Sequence, residues 1–558
     1  MHMITFKKTL LVVTIATFLT ACGDNESSTN NSNTPPPVPF NPVEATISDL
    51  HNSILSKGSS CVDVVQGYLN RISAYDRQGP ELNSIISLNP NALKEAEVLD
   101  QQFAKNSKLS GPLHCVTVLA KDNIDAVDMA NTAGSVALKD NFPHDDAYII
   151  KNIKENGGII LGKANLDEFA FGFGGKSTLG DQTKNVYDLS KGPGGSSSGT
   201  GAAISASFAM VGIGTDTGGS IRVPSSVQGL VGLRPSLRLL SQDGIIPLAP
   251  TQDTAGPMCR QAIDCAKLMD AMIGFDSSLS SNQRSEFART SPLLKSESAY
   301  RELINQPNSY VPHDTVSLAG KRIGIVQALY PSEGSTTQQK EDYNLVKEAM
   351  ENAITKLEEA GATVEIVTIS DLNTILTRYS SLSSAEFKIS LTEYLKTTRS
   401  IYQSYEDLLA SELMIRNFSG YNSDPTSASY IENYERNTTE RSPFVRLRMN
   451  SALNNVELDG THKGVQYDAL AYPSITGFAG NLGSSPTTGT NNRLSPFSGF
   501  PALSMPAKSV NSSRSSYPMN VNIEFIAREF DEPTLFEIAV AFQKVNPARM
   551  IPIHTPAL

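Results

Sequence analysis

The sequence predicts an α/β fold, on three observations. Short apolar runs bounded by Gly, Pro and Asn alternate with segments whose apolar residues recur three and four apart, the pattern of strands and helices stacked in layers. At 558 residues and 39% hydrophobic content the chain can fill one large core or two to four ordinary domains. Charged residues make up a moderate 18%, and the glycines follow no period of three, which excludes predominantly disordered and collagen-like chains. No internal repeat of solenoid length occurs.

Taken in order, residues 45–104 read as helical. Cys61-Val62-Asp63-Val64-Val65 and Tyr68-Leu69-Asn70-Arg71-Ile72 carry the helical spacing, and Asn89-Pro90-Asn91 starts a further helix through Ala96. Val116-Thr117-Val118-Leu119 is a strand that ends at Lys121. A helix over Asp146–Asn156 precedes a strand over Gly158–Gly162, and a Gly-rich stretch runs from Gly172 to Gly219. Within it a small-residue helix, Ala202–Ala209, leads to the apolar Met210-Val211-Gly212-Ile213. Strands at Arg322–Val326 and Thr363–Val367 flank a helix over Glu341–Ala360. Tyr467–Pro473 and Gly499–Pro506 read as strand ends, and Pro533 opens a helix to Gln543, where its missing N–H is tolerated. Residues 276–317 and 370–464 are polar and weakly patterned, as pocket-shaping segments are and as surface padding also is.

The first residues lie outside this fold. Lys7 and Lys8 precede an apolar run, Thr9–Leu19, too short to span a bilayer, followed by Leu19-Thr20-Ala21-Cys22-Gly23. This is the layout of an export signal over 1–21. A Cys directly after Leu-Thr-Ala resembles the lipobox of bacterial lipoproteins, so Cys22 is expected to carry lipid and anchor the protein in the bacterial cell envelope; an ordinary secretory signal with an incidental Cys is the alternative. Residues 22–44, with an Asn/Ser/Thr run and Pro35-Pro36-Pro37, are expected to form a flexible tether. Removing the signal deletes two lysines and no acid, taking the formal net charge from −11 to −13. Such a chain lacks the basic stripe of a duplex-tracking nucleic-acid binder, and a small or neutral partner is expected.

Export also places Cys61, Cys115, Cys259 and Cys265 in an oxidising compartment. The pairs Cys61–Cys115 and Cys259–Cys265 are one expectation and buried free thiols the other. No C-x-x-C and no His/Cys cluster with metal spacing is visible, so neither zinc nor another metal is expected.

Two Gly/Ser loops hold the candidate chemistry, Gly192-Pro193-Gly194-Gly195-Ser196-Ser197-Ser198-Gly199-Thr200 and Gly214-Thr215-Asp216-Thr217-Gly218-Gly219-Ser220-Ile221-Arg222. Glycines ahead of a serine let the backbone bend and turn successive N–H groups toward one point, as an oxyanion requires. A hydroxyl beside such a cradle suggests acyl transfer. Phosphate binding is the competing use, but the Walker pattern is absent, and Gly/Ser loops also serve as plain linkers. Gly195–Gly199 formally matches a G-x-S-x-G nucleophile elbow, with Ser197 as nucleophile and His313, His462 or His554 as base. An elbow follows a buried strand, whereas Asp188-Leu189-Ser190-Lys191-Gly192-Pro193 precedes this one. Lysine is the remaining candidate base. Lys121 ends an apolar strand, and desolvation there would leave a neutral amine near physiological pH; a solvated strand-end lysine is the plain alternative.

These residues resemble the amidase signature enzymes over nearly the whole mature chain, from Ala45 to Leu558. The matching motifs are Gly111-Pro112-Leu113-His114 with Lys121-Asp122-Asn123, Gly162-Lys163-Ala164-Asn165-Leu166, Gly194–Gly199, and Gly214–Pro224 with Gly229–Pro235. Spacings of 75 residues from Lys121 to Ser196 and 24 from Ser196 to Ser220 are also similar to the family's. The resemblance implies one catalytic domain over 45–558 with a central mixed, twisted sheet covered by helices on both faces. It implies an amide hydrolase without cofactor, acting on a small-molecule or peptide amide, with Ser220 as nucleophile, Ser196 as bridging serine behind a cis Gly195–Ser196 peptide, and Lys121 as base. The N–H groups of Thr217, Gly218, Gly219 and Ser220 would form the oxyanion hole. Ser197 would hydrogen-bond within the site, Asp216 orient the loop and Arg222 anchor it, or each be structural. Ser198 departs from the family loop, standing where a glycine is usual. Together with Asp243–Leu248 and Gln252–Met258, that variant is more similar to the peptide amidase and general amidase branch than to the tRNA amidotransferase branch. The alternative of a different class is a lipoprotein that keeps the scaffold to bind amides without turnover.

Overall fold

The computed structural model describes residues 37–277, 296–305, 307–415 and 426–558. The expected signal over 1–21, the lipidation residue Cys22, most of the tether and parts of segments 276–317 and 370–464 lie outside these residues. The tether expected to reach residue 44 is already hydrogen-bonded to the domain from Val38 onward. Phe40 stacks obliquely on Tyr68 with ring centroids 6.0 Å apart, Ser53 Oγ donates to Val38 O at 2.7 Å, and Glu44 pairs with Arg549 at 2.8 Å. One aromatic ring and one ion pair hold a Pro-rich segment that composition alone assigns to solvent.

The helices Ile47–Leu55 and Cys61–Tyr75 each begin on a capping box, Thr46 with Asp49 and Ser60 with Asp63. The helical reading of 45–104 is interrupted by a strand, β1 (Ile85–Leu88), before the helix Ala92–Asn106. Then follow β2 (Thr117–Lys121), helix Tyr148–Glu155, β3 (Ile159–Ala164), and a small hairpin of β4 (Lys176–Ser177) and β5 (Asp181–Gln182). Helix Ser198–Ser205 leads to β6 (Val211–Asp216), helix Arg222–Val227, β7 (Val231–Arg234) and β8 (Thr254–Cys259). The later strands are β9 (Arg322–Ile325), β10 (Thr363–Ile366), β11 (Ala469–Pro473), β12 (Ala502–Val510) and β13 (Met519–Ile526), and helix Glu532–Val545 follows.

Among the described residues, eleven of these strands form one sheet in the order β1-β3-β2-β6-β8-β7-β12-β13-β11-β9-β10. The sheet is mixed and flanked by helices, as the resemblance implied. β2 runs parallel to both neighbours, with Ala120 beside Ile213 on β6 and Lys121 beside Ala164 on β3. β2, β3 and β6 are buried along their whole length, which accounts for continuous apolar runs rather than alternation. The carboxyl ends of β2 and β6 therefore lie side by side, the edge at which open α/β sheets bind ligands.

Segment 370–464 is not featureless. It carries the helices Leu372–Arg378, Ser383–Leu395, Tyr405–Ala410, Ala428–Glu435 and Arg441–Asn454, and Phe387 packs edge-on against Phe171 with centroids 4.8 Å apart. The cysteines are bonded as Cys61–Cys115 and Cys259–Cys265, with Cα separations of 5.3 and 5.6 Å. His114 packs against the first of these bonds, its Nε2 3.6 Å from Cys61 Sγ, and the bonded cysteines offer no thiolate to a metal.

Candidate active site

Lys121 is the last residue of β2, and its side chain is fully buried beneath both Gly/Ser loops. Its Nζ lies 2.7 Å from Ser196 Oγ and 2.8 Å from Thr215 Oγ1, and Asn123 Nδ2 donates to the same threonine hydroxyl at 3.1 Å. Burial lowers the Lys121 pKa to about 7, against the opposing pull of Asp167, Asp216 and Asp253. The amine is thus close to half neutral at physiological pH, and the solvated strand-end alternative does not hold.

The first loop brings Ser196 to this amine. The Gly195–Ser196 peptide is cis. A Cβ on residue 195 would collide with Asp167 Oδ2 and lie 2.8 Å from Phe173 Cα, so only glycine fits. Asp167 holds the loop from outside: its N–H donates to Ser196 O at 3.1 Å, and its carboxylate accepts from Gly174 N and Gly175 N, each at 2.9 Å. Ser197 ties the two loops together. Its Oγ lies 3.3 Å from both the carbonyl oxygen and the N–H nitrogen of Thr215, and its own N–H donates to Ser220 O at 3.2 Å. Among the described residues no histidine bonds to Ser197: His313 and His462 are exposed, and His554 packs edge-on against Tyr517. The segment before Ser196 is not a strand, and the elbow reading fails on both counts.

The second loop turns sharply between β6 and helix Arg222–Val227. Asp216 makes that turn: its carboxylate accepts from Gly219 N at 2.6 Å, Ile221 N at 3.2 Å and Arg222 Nε at 3.1 Å. Arg234 Nη1 donates to the Asp216 carbonyl, and Arg222 Nη1 reaches Glu524 Oε1 at 2.6 Å, which also accepts from the Tyr472 hydroxyl at 3.0 Å. Burial works against charge on Asp216, but Arg222 and Arg234 overcome it and hold the carboxyl well below the usual carboxylate range. Gly219 adopts φ +115°, and a Cβ there would lie 2.8 Å from Asn492 Cβ. Removing one partner of a buried network leaves uncompensated charge, so Asp216→Asn is expected to cost about 3–5 kcal/mol in urea unfolding. A loss under about 1 kcal/mol would contradict the clamp.

The oxyanion cradle differs from expectation at one position. The Gly219 N–H is engaged by Asp216 and holds the turn instead of facing a substrate. The carbonyl side of the turn is pinned: Thr217 O accepts from Gln252 Nε2 at 3.1 Å, Gly218 O accepts from Asn492 Nδ2, and Thr217 Oγ1 donates to Asp253. Among the described residues no acceptor engages the N–H groups of Thr217, Gly218 or Ser220. Ser220 is 5% exposed, and no hydrogen bond joins its Oγ to Ser196; the loops meet through the main-chain link from Ser197 N to Ser220 O.

Several supporting residues escaped the sequence. Arg234, Gln252 and Asp253 lie within motifs that mark the family without revealing their own roles. Glu524 sits in Met519–Ile526, where Asn520, Asn522 and Glu524 alternate with apolar residues and read as a solvent face, yet the whole strand is buried. Asn492 gave no signal.

A protein-family model described as Amidase matches residues 63–536. The structure is similar to the peptide amidase of Stenotrophomonas maltophilia, with a TM-score of 0.75 and 32% identity, covering 92% of this chain and 99% of that one. A probable amidase of Arabidopsis thaliana is 31% identical over 532 residues, 92% of each chain. One component of the chloroplastic/mitochondrial glutamyl-tRNA(Gln) amidotransferase of Vitis vinifera is 29% identical over 91% of this chain and 89% of its own. With a family match spanning most of its length and this fold beneath it, the chain belongs to the amidase family.

Proposed function

We propose that the protein hydrolyses a linear carboxamide other than a peptide bond, giving a carboxylic acid and ammonia or an amine through an acyl-enzyme on Ser220. The observation that carries this reading is the 2.7 Å contact between the buried Lys121 amine and Ser196 Oγ, beneath the turn that bears Ser220. As Ser220 Oγ attacks the carbonyl carbon, its proton passes to Ser196 and the Ser196 proton to neutral Lys121. The N–H groups of Thr217, Gly218 and Ser220 receive the oxyanion. The return path protonates the leaving nitrogen as the C–N bond breaks, and water then cleaves the ester. The likeness to a peptide amidase supports a small-molecule or peptide amide as substrate.

A panel of peptide amides, aryl amides and fatty amides, assayed for released ammonia or amine with the Ser220→Ala protein as blank, tests this. Turnover of one class that survives exhaustive chelation is expected. No turnover of any, or turnover retained in the blank, would reject it. We further propose that Cys22 is lipidated and holds the enzyme at the bacterial envelope, on the strength of Leu19-Thr20-Ala21-Cys22. In cells, Cys22→Ser is expected to move the protein from the membrane pellet to the soluble fraction; an unchanged distribution would refute the anchor.

A further inference from the structure

A cavity of about 360 Å³ lies beside the catalytic turn, walled by residues of 237–253, of 274–276 with Tyr300, and of 390–442. One wall residue, Asp253, accepts from Thr217 Oγ1, which places the cavity one side chain from the oxyanion cradle. Another is Arg441, a cation only 3% exposed. Its Nη1 donates to Gln252 Oε1 at 3.0 Å and Ser380 O at 2.6 Å, and the Phe497 ring centroid lies 4.6 Å from its guanidinium carbon. Among the described residues its Nε has no partner, its Nη2 donates to none, and no carboxylate lies within ion-pair distance.

The charge of Glu386 acts on Arg441 from beyond ion-pair distance. Its two oxygens accept from Thr251 N at 3.1 Å and Thr251 Oγ1 at 2.7 Å, and burial pushes its pKa up to about 7. Asp243, Asp253, Asp276 and Glu393 also line the wall: Asp253 accepts from Thr217, Leu248 and Ala249, Asp276 from Ser241, and Glu393 from Lys396. Burial lowers the Arg441 pKa to about 10, which leaves it cationic at neutral pH. A buried guanidinium with no direct ion pair is costly, and its planar fork fits a carboxylate. The same residue reaches the reaction centre in two steps, because Gln252, which accepts from Arg441, donates through Nε2 to Thr217 O at 3.1 Å.

We propose that this cavity is a carboxylate-binding subsite in which the Arg441 guanidinium recognises the acid group, and that its occupancy is transmitted through Gln252 to the turn ahead of Ser220. The kinetic consequence rests on the amidase reading. The carboxylate has two possible sources: the far end of the amide substrate, or a free acid such as the product.

The monoamides succinamate, glutaramate and adipamate, compared with butyramide, pentanamide and hexanamide, separate these. With the wild-type protein at least one acid monoamide is expected to exceed its neutral partner about tenfold in kcat/KM, through KM. Arg441→Met should lower that ratio about tenfold and Arg441→Lys restore part of it. Calorimetry of glutarate on the Ser220→Ala protein reads binding without turnover, and the signal should vanish when Arg441→Met is added. Glutarate binding without acid preference assigns the site to a free acid. If Arg441→Met does not fold, the wild-type ratio and the Arg441→Lys protein decide. Absence of both acid preference and glutarate binding overturns the proposal, whereas glutarate binding by a protein that hydrolyses no amide rejects the amidase reading and leaves the subsite standing.

Discussion

Ser220→Ala is expected to lower amide turnover by about six orders of magnitude, the scale seen when an acyl-transfer enzyme loses its nucleophile. The substitution removes one oxygen that makes no hydrogen bond to the described residues, while the Ser220 carbonyl keeps its bond from Ser197 N. Stability should therefore stay within about 0.5 kcal/mol of the parent, as for a substitution that breaks no partner. A fluorophosphonate should label the parent at Ser220, mapped by mass spectrometry, and leave the variant unlabelled. Ser196→Ala offers an informative contrast. It breaks the Lys121 contact, so proton transfer fails while Ser220 remains present to react. If Ser197→Ala abolished turnover, Ser220→Ala were silent and His554→Ala were lethal, the assignment would pass to the elbow arrangement despite its geometry.

What the sequence made legible follows from where each feature draws its order. The two loops were readable because their chemistry is local: glycines that must turn and serines that must follow them sit within nine residues of each other. β2 and β3 were readable because strands buried along their whole length write apolar runs. β13 was not, since its alternation of Asn520, Asn522 and Glu524 with apolar residues signals a wet face. In the fold that face is dry, and its polar groups meet Arg222, Ser225 O and Leu230 O. β7 and β8 went unread for a related reason: their glycines, Gly232 and Gly256, are set by close approach of neighbouring elements and dilute the strand signal. The same limit applies within the site. Lys121 could be nominated from its strand, but Asp167, Gln252 and Asn492 act on the loops across long sequence separations that only the fold supplies. The oxyanion cradle shows it most directly, because a run of four backbone N–H groups gives no indication that Asp216 engages the third.

The pH dependence of turnover should carry the signature of Lys121. Its pKa is lowered from an ordinary value of 10.5 to about 7, chiefly by burial, and the reactive form is the neutral amine. On a neutral amide, kcat/KM should therefore be level above about pH 7 and fall tenfold per unit below it, reaching about 100-fold lower at pH 5. Glu386 also titrates near 7, so it must be separated from the lysine. Glu386→Gln should leave the acidic limb in place, whereas Lys121→Met should lose several orders of magnitude in rate, and the little that remains should show no limb. Stability supplies an independent check with a definite sign. Between about 7 and 10.5 the unfolded chain holds the Lys121 proton and the folded protein does not, so this residue makes stability rise with pH across that window. Below about 7 both states are protonated and its burial penalty is constant. Lys121→Met should flatten that part of the stability profile. A rate profile level from pH 5 to 8 in the parent, or an acidic limb that survives in Lys121→Met, would remove the lysine from the role of base.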